Sequence, residues 1–238
     1  LAEWEAGGRR LVQKGKSKPN LEGMAWDLFW EPKSLRWTGA ESEPYKVLAA
    51  EIRGGQAVLR LEKTLSAPAV LMAKTFALDK DAAAIRVSHA IRNTSKESIS
   101  FSFWSHGFPK LGPADRLTDN MAILVPVASG SVKTVQGRAP GDSVFWAGQA
   151  PLGFDAGRGE ALGRPRVGVL AVAERFGLVY DLTSARLGQV YLYRCDTPTV
   201  EWMSEMATLA PGQSWESSYT MTFVDGVDAA GMEKALLK

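Results

Sequence analysis

Two ionisable side chains stand out because alternation in their strands turns each away from an apolar face. Between Thr199 and Met206, Val200 and Trp202 share one side, while Thr199, Glu201, Met203 and Glu205 share the other. Between Ser98 and His106, Ile99, Phe101 and Phe103 point one way; Ser98, Ser100, Ser102, Trp104 and His106 point the opposite way. An imidazole near neutral pKa can act as a general acid, donate to a ring oxygen or bind a metal. An indole beside polar groups can stack on the apolar face of a pyranose while the sugar hydroxyls find hydrogen bonds. A serine-lined face ending in Trp104 and His106 therefore suits the floor of a polar, aromatic-edged cleft for a saccharide.

Trp26, Asp27 and Trp30 offer an opposite wall for such a cleft. Asp27 sits among apolar neighbours and needs a partner, whether an arginine such as Arg194 or Arg36, a backbone turn or a ligand hydroxyl. The other histidine, His89, lies on an apolar strand face and reads as buried and structural. Glu201 and Glu205 do not form a glycosidase pair, because four strand residues separate them by about 13 Å, beyond the roughly 5–9.5 Å that hydrolysis requires. Two histidines and one cysteine make no zinc cluster of ordinary spacing. Nothing in the spacing of Asp115, Asp119 and Asp155 requires calcium. Ser105 beside His106 is adjacent in sequence only, and no nucleophile elbow is present. The glycine-rich stretch PLGFDAGRGEALGRP has neither a P-loop lysine nor a dinucleotide-binding spacing, so the chain calls for no cofactor and no metal.

The elements that must position these residues are strands. From Pro44 onward, β-patterned runs recur at about ten-residue intervals: Val47–Arg53, Ala57–Leu65, Ala69–Leu78, Ala84–Arg92 and Ser98–His106. Gly54-Gly55, Ser66-Ala67-Pro68, Asp79-Lys80-Asp81 and Asn93-Thr94-Ser95 separate them. This rhythm predicts an antiparallel meander that includes Ser98–His106, paired with Ala84–Arg92 through a short polar turn. Shorter strands follow at Met121–Ala128, Ser131–Gln136 and Ser143–Trp146. A hairpin turns around Arg175-Phe176, and Gly188–Cys195, Thr199–Met206 and Ser214–Val224 complete a set of some thirteen strands. Met24–Trp37, rich in tryptophan and interrupted by Pro32, reads as a loop over one end of a sandwich. Asp228 before Met232, Ala235 and Leu236 at helical spacing predicts a terminal helix.

Composition sets the outer limits. The 238 residues, 45% hydrophobic and 23% charged, are those of a soluble globular protein and suffice for one large all-β domain spanning residues 1–238. A net charge of +2 leaves no footprint for nucleic acid, and Lys14, Lys16 and Lys18 read as a solvated loop. No run approaches the roughly 20 apolar residues of a membrane helix. Cys195 stands alone, so there is no internal disulfide framework. That leaves a periplasmic, secreted or cytoplasmic setting open. The chain begins at Leu1 without a signal peptide, which reads as a processed product, a fragment or an ordered part of something longer. Oligomeric state is not legible.

The stretch NTSKESISFSFWSHGFPKLG resembles the strand-to-loop element of galactose mutarotase-like (aldose 1-epimerase) proteins. There, an Asn-containing turn leads into a strand ending in a histidine, then an aromatic residue and Leu-Gly. Leu-Ala-Pro-Gly-Gln-Ser-Trp, residues 209–215, resembles the closing segment of the same enzymes, and Gly7-Gly8 before a first strand is similar to their start. The resemblance implies a large antiparallel β-sandwich of the mutarotase-like supersandwich kind with a short C-terminal helix. It implies a carbohydrate ligand, Glu201 as the general base on the anomeric hydroxyl, and His106 in contact with the sugar; Trp104, Trp26, Asp27, Tyr193 and Arg194 are this chain's own candidates to surround it. The family's acid is a second, downstream histidine, which this chain lacks; Tyr193 or Tyr191 would have to donate that proton. Three functions follow as alternatives: an epimerase-like isomerase, a non-catalytic carbohydrate-binding module of a larger protein, and a structural β-domain.

Overall fold

A computed structural model describes residues 5–6, 9–10, 24–31, 36–39, 44–79, 82–107, 109, 111, 120–136, 142–146, 157–158, 161–194 and 199–238. After two short pieces, β1 (Glu5–Ala6) and β2 (Arg9–Arg10), come β3 (Met24–Glu31) and β4 (Arg36–Gly39). Four long strands follow: β5 (Lys46–Arg53), β6 (Gln56–Ser66), β7 (Ala69–Asp79) and β8 (Ala84–Asn93). Next are β9 (Ile99–Gly107), β10 (Met121–Pro126), β11 (Val132–Gln136), β12 (Asp142–Trp146) and β13 (Gly157–Arg158). The chain then forms β14 (Arg166–Ala171), β15 (Phe176–Asp181), β16 (Leu187–Arg194), β17 (Thr199–Ser204), β18 (Ala207–Leu209) and β19 (Ser214–Asp225), ending in helix α1 (Ala229–Leu237).

These strands make two large sheets. One has nine strands in the order β11-β10-β14-β15-β19-β8-β7-β6-β5; the other runs β13-β12-β16-β17-β9-β3-β4, with β18 also paired to β9. The pairings within both are antiparallel except for β12 with β13. Turn chemistry explains the long meander. Gly54 and Gly55, at φ of +59° and +83°, form a two-residue loop that lets Arg53 pair with Gln56. The expected hairpin around Arg175 is present, with Ala171 opposite Phe176 and Arg175 at a φ of +56°.

Two expectations are corrected. β8 and β9 are not a hairpin: β8 belongs to the nine-stranded sheet and β9 to the other, so residues 94–98 arch between the two. Asn93 is the pin of that arch. Its amide donates to the carbonyls of Glu97 (2.8 Å) and Leu209 (2.9 Å), and its oxygen accepts from the Ser95 amide (2.9 Å) and hydroxyl (2.7 Å). Turn residues alone do not distinguish a hairpin from an arch, because both satisfy the same local backbone groups. Met24–Trp37 is also not a loop; it supplies β3 and β4, paired from Leu28 opposite Gly39 to Glu31 opposite Arg36. Aromatic residues suit strands as well as loop caps, and Pro32 falls between the two strands.

The core lies between the sheets. Phe29, Phe101, Phe103 and Trp202 from one side meet Met72, Val87, Ile91, Trp215 and Tyr219 from the other. Phe29 contacts Phe101 and Phe103 edge-on, at ring-centre distances of 5.3 and 5.6 Å, a favoured geometry for buried aromatics. On the outer side of the nine-stranded sheet, α1 buries Met232 and Leu236 against Leu124, Leu170 and Val179. Asp228 caps this helix as predicted, its side chain accepting from the Gly231 amide at 2.9 Å. A β-carbon at Gly177 would overlap the Val169 carbonyl and the Met232 side chain, so the close docking of the helix needs glycine there. The architecture is the expected all-β antiparallel sandwich with a short C-terminal helix.

Candidate functional site

β9 is central in its sheet, with β17 on one side and β3 on the other. Register alone then assembles a row across four strands. Trp26 of β3 is opposite His106 of β9, His106 is opposite Glu201 of β17, and Glu201 is opposite Tyr191 of β16. The adjacent row is Leu28, Trp104, Met203 and Gln189. Because Phe101, Phe103, Val200 and Trp202 fill the core, His106, Trp104, Glu201 and Met203 occupy the face of the sheet turned away from it.

Within this row, the imidazole and carboxylate touch. His106 Nε2 lies 3.0 Å from Glu201 Oε2, and both residues are buried, 7% and 3% exposed. Thr199, two residues earlier on the same face, donates its hydroxyl to Glu201 Oε1. Trp104 lies flat against His106, with ring centres 4.8 Å apart and planes 20° off parallel, and meets Tyr191 edge-on at 5.7 Å. Met203 and Leu28 pack around the indole. Glu201 is thus held by a hydroxyl and an imidazole, and one face of Trp104 is taken by His106. The sequence placed Thr199 on the face of Glu201 and offered Tyr191 as a proton donor; what it did not reveal is that the Thr199 hydroxyl binds the carboxylate and that Tyr191 is opposite Glu201.

Asp27 belongs to a different place. It is opposite Ser105 and next to Phe29 on the face turned into the sandwich. There it forms an ion pair with Lys74 of β7, lies 3.4 Å from His89 Nε2 of β8, and accepts a 3.1 Å hydrogen bond from the Tyr45 hydroxyl. Among the described residues its charged partner is this lysine; the side chains of Arg36 and Arg194, the arginines considered, lie outside them. Lys63 Nζ stands 4.1 Å from the centre of the Tyr45 ring, a cation–π contact at the margin of the cluster. Burial would push the Asp27 carboxyl up, but Lys74 and His89 outweigh it and hold the group below the ordinary carboxylate range. Burial also lowers Lys74 and His89, against the pull of Asp27, and His89 is buried, as its apolar strand face implied. Burial, then the neighbouring carboxylate, raises Tyr45.

Tyr193 is opposite Thr199 and Arg194 opposite Asp142. The side chains of Trp26, Tyr193 and Arg194 lie outside the described residues, as do Gly7-Gly8, Lys14, Lys16, Lys18, Asp115, Asp119, Asp155 and Cys195. Among the described residues, no three His, Cys, Asp or Glu side chains come together in a way that could hold a metal ion. No described helix is long and apolar enough to cross a membrane.

This architecture is the galactose mutarotase-like sandwich. Among solved structures, a galactose mutarotase-like protein from Clostridium acetobutylicum is similar over 94% of this chain and 89% of its own, at a TM-score of 0.62 and 11% identity. A galactose mutarotase related enzyme from Lactobacillus acidophilus matches over 93% and 89%, at a TM-score of 0.57 and 10% identity. The GH36 α-galactosidase AgaA of Geobacillus stearothermophilus, solved with raffinose, matches 94% of this chain, which spans 33% of that enzyme, at a TM-score of 0.53 and 13% identity. No family model matches the chain, and no curated protein matches it significantly.

Proposed function

We propose that the chain binds a saccharide on the face carrying Glu201, His106 and Trp104, and that it is an aldose 1-epimerase-like isomerase. The observation that carries this reading is the 3.0 Å approach of His106 to Glu201, from strands almost a hundred residues apart. Opening a pyranose requires a proton to leave the anomeric hydroxyl as another reaches the ring oxygen. Both oxygens are borne on one carbon, so base and acid must be close neighbours. Glu201 would take the hydroxyl proton, with Thr199 fixing the carboxylate, and His106 would steady the ring oxygen or the C1 substituent. Reclosure on the other face of the carbonyl gives the second anomer and returns both protons. Of the two tyrosines considered as the remaining donor, Tyr191, edge-on to Trp104, is the one that register sets opposite Glu201.

A second reading has its own support. One carboxylate oxygen of Glu201 already accepts from Thr199 and the other lies against His106, and the only other histidine lies in the Asp27 cluster. That arrangement suits a binding module that holds a sugar without turning it over, a role consistent with the chain matching a third of a larger sugar-bound hydrolase. Polarimetry of freshly dissolved aldoses decides between them. An isomerase accelerates equilibration and loses that acceleration in Glu201→Gln. If the wild type gives none while tryptophan fluorescence still titrates with sugar, the binding module stands. Silence in both assays removes the saccharide reading.

A further inference from the structure

The outer face of the nine-stranded sheet holds a second concave site that the Glu201 face does not explain. Helix α1 covers β10, β14 and β15, and next to them β19, β8 and β7 form the floor of a hollow of about 480 Å³. Register orders its lining into rows. Thr75, Ser88 and Ser218 stand side by side across the three strands, forming a line of hydroxyls. On one side of this line are Ala73, Ala90 and Glu216, whose small members leave the floor deep; on the other is Arg86. The segment after β15 makes the wall. Thr183 donates to Asp181 Oδ1, Ala185 to the Leu182 carbonyl and Ser218 to the Ser184 carbonyl, each at 3.0 Å, which fixes Ser184 and Arg186 against β19. Arg186 is held at a φ of +47°, a left-handed conformation that is uncommon for a non-glycine residue.

The charges in this hollow are not consumed by one another. Arg86 donates to the Ser218 hydroxyl at 3.2 Å, but among the described residues neither it, Arg186 nor Glu216 forms an ion pair. Two guanidinium groups against one carboxylate leave the site positive. It has no Trp, Tyr or Phe in its lining, so it lacks the platform on which a neutral pyranose stacks. Its planar guanidinium donors match an oxyanion instead. The hydroxyl row spans two strand spacings, about 10 Å, which is room for one hydroxylated ring beside that anion.

We propose that this hollow binds an anionic monosaccharide, with its oxyanion between Arg86 and Arg186 and its hydroxyls on Thr75, Ser88, Ser218 and Glu216. A phosphate ester and a sugar carboxylate share that chemistry, and calorimetry with the whole chain separates them, using glucose 6-phosphate, glucuronate, inorganic phosphate and glucose as probes. The expected result is saturable binding of at least one charged sugar, weakened about tenfold or more in Arg186→Gln and Arg86→Gln and by added salt. Thr75→Val should weaken the charged sugar and leave inorganic phosphate unchanged. Arg86→Gln and Arg186→Gln should leave the rate of aldose equilibration in polarimetry as in the wild type, which separates this site from the face proposed for isomerisation. Equal affinity for glucose and its charged relatives overturns the proposal, as does wild-type affinity in Arg186→Gln with circular dichroism showing an intact fold. Absence of saturable binding by both charged sugars overturns it as well.

Discussion

Replacing Lys74 with Met should destabilise the protein in a way that reverses its acid sensitivity. Lys74 and Asp27 are 3% exposed each, and the ammonium is the leading influence that keeps the carboxyl ionised against the cost of burial. Removing one partner of a buried ion pair costs about 3–5 kcal/mol, or roughly 6–20 °C of melting temperature in a chain of this size. In the wild type, Asp27 is held below its ordinary pKa. Its contribution is therefore fully present above about pH 3.9 and is lost as pH falls through the lower, folded value. In Lys74→Met, burial dominates and lifts the carboxyl above the ordinary range, so the folded state binds the extra proton. The variant should then gain stability on going from neutral pH toward pH 5, where the wild type does not. Urea denaturation at several pH values measures both effects. A loss under about 1 kcal/mol at neutral pH, or an equal loss at every pH, would refute the electrostatic account. The double variant Asp27→Asn with Lys74→Met should recover much of the loss, because no buried charge remains.

Further outcomes follow from single contacts. Asn93→Ala removes four hydrogen bonds at the arch between the sheets and should cost about 2–4 kcal/mol in chemical denaturation, whereas Ser95→Ala should cost about 1 kcal/mol or less. Gly177→Ala puts a methyl group where Met232 and the Val169 carbonyl already are, and should lower the melting temperature while releasing helix α1, seen as faster amide exchange in residues 229–237. Asp228→Ala should lower the melting temperature and speed amide exchange in the first turn of α1 through the lost helix cap. His89, lowered by burial, makes the unfolded state the better proton acceptor below about pH 6.5; wild-type stability should decline from there downward, and His89→Gln should flatten that part of the profile.

How much of this was legible depends on the range of the interactions involved. The hairpin at Gly54-Gly55, the turn at Arg175 and the cap at Asp228 are decided within a few residues, and alternation exposes which side of a strand is apolar. Thus the β-sandwich class, most strand positions, the helix, and the placing of Glu201 opposite Val200 and Trp202 in face were all contained in local pattern. The arch at Asn93 was not, because its deciding partner, the Leu209 carbonyl, lies more than a hundred residues away. Asp27 shows the same limit: its alternation put it with Phe29, but a sequence does not say which face of that strand meets the other sheet, nor that Lys74 and His89 would be waiting there. The meeting of His106 with Glu201 likewise rests on register between β9 and β17, where a slip of one residue would turn one of them into the core. Side-chain alternation is a property of the chain itself, whereas strand order and register are set by how two whole sheets bury their aromatic faces against each other.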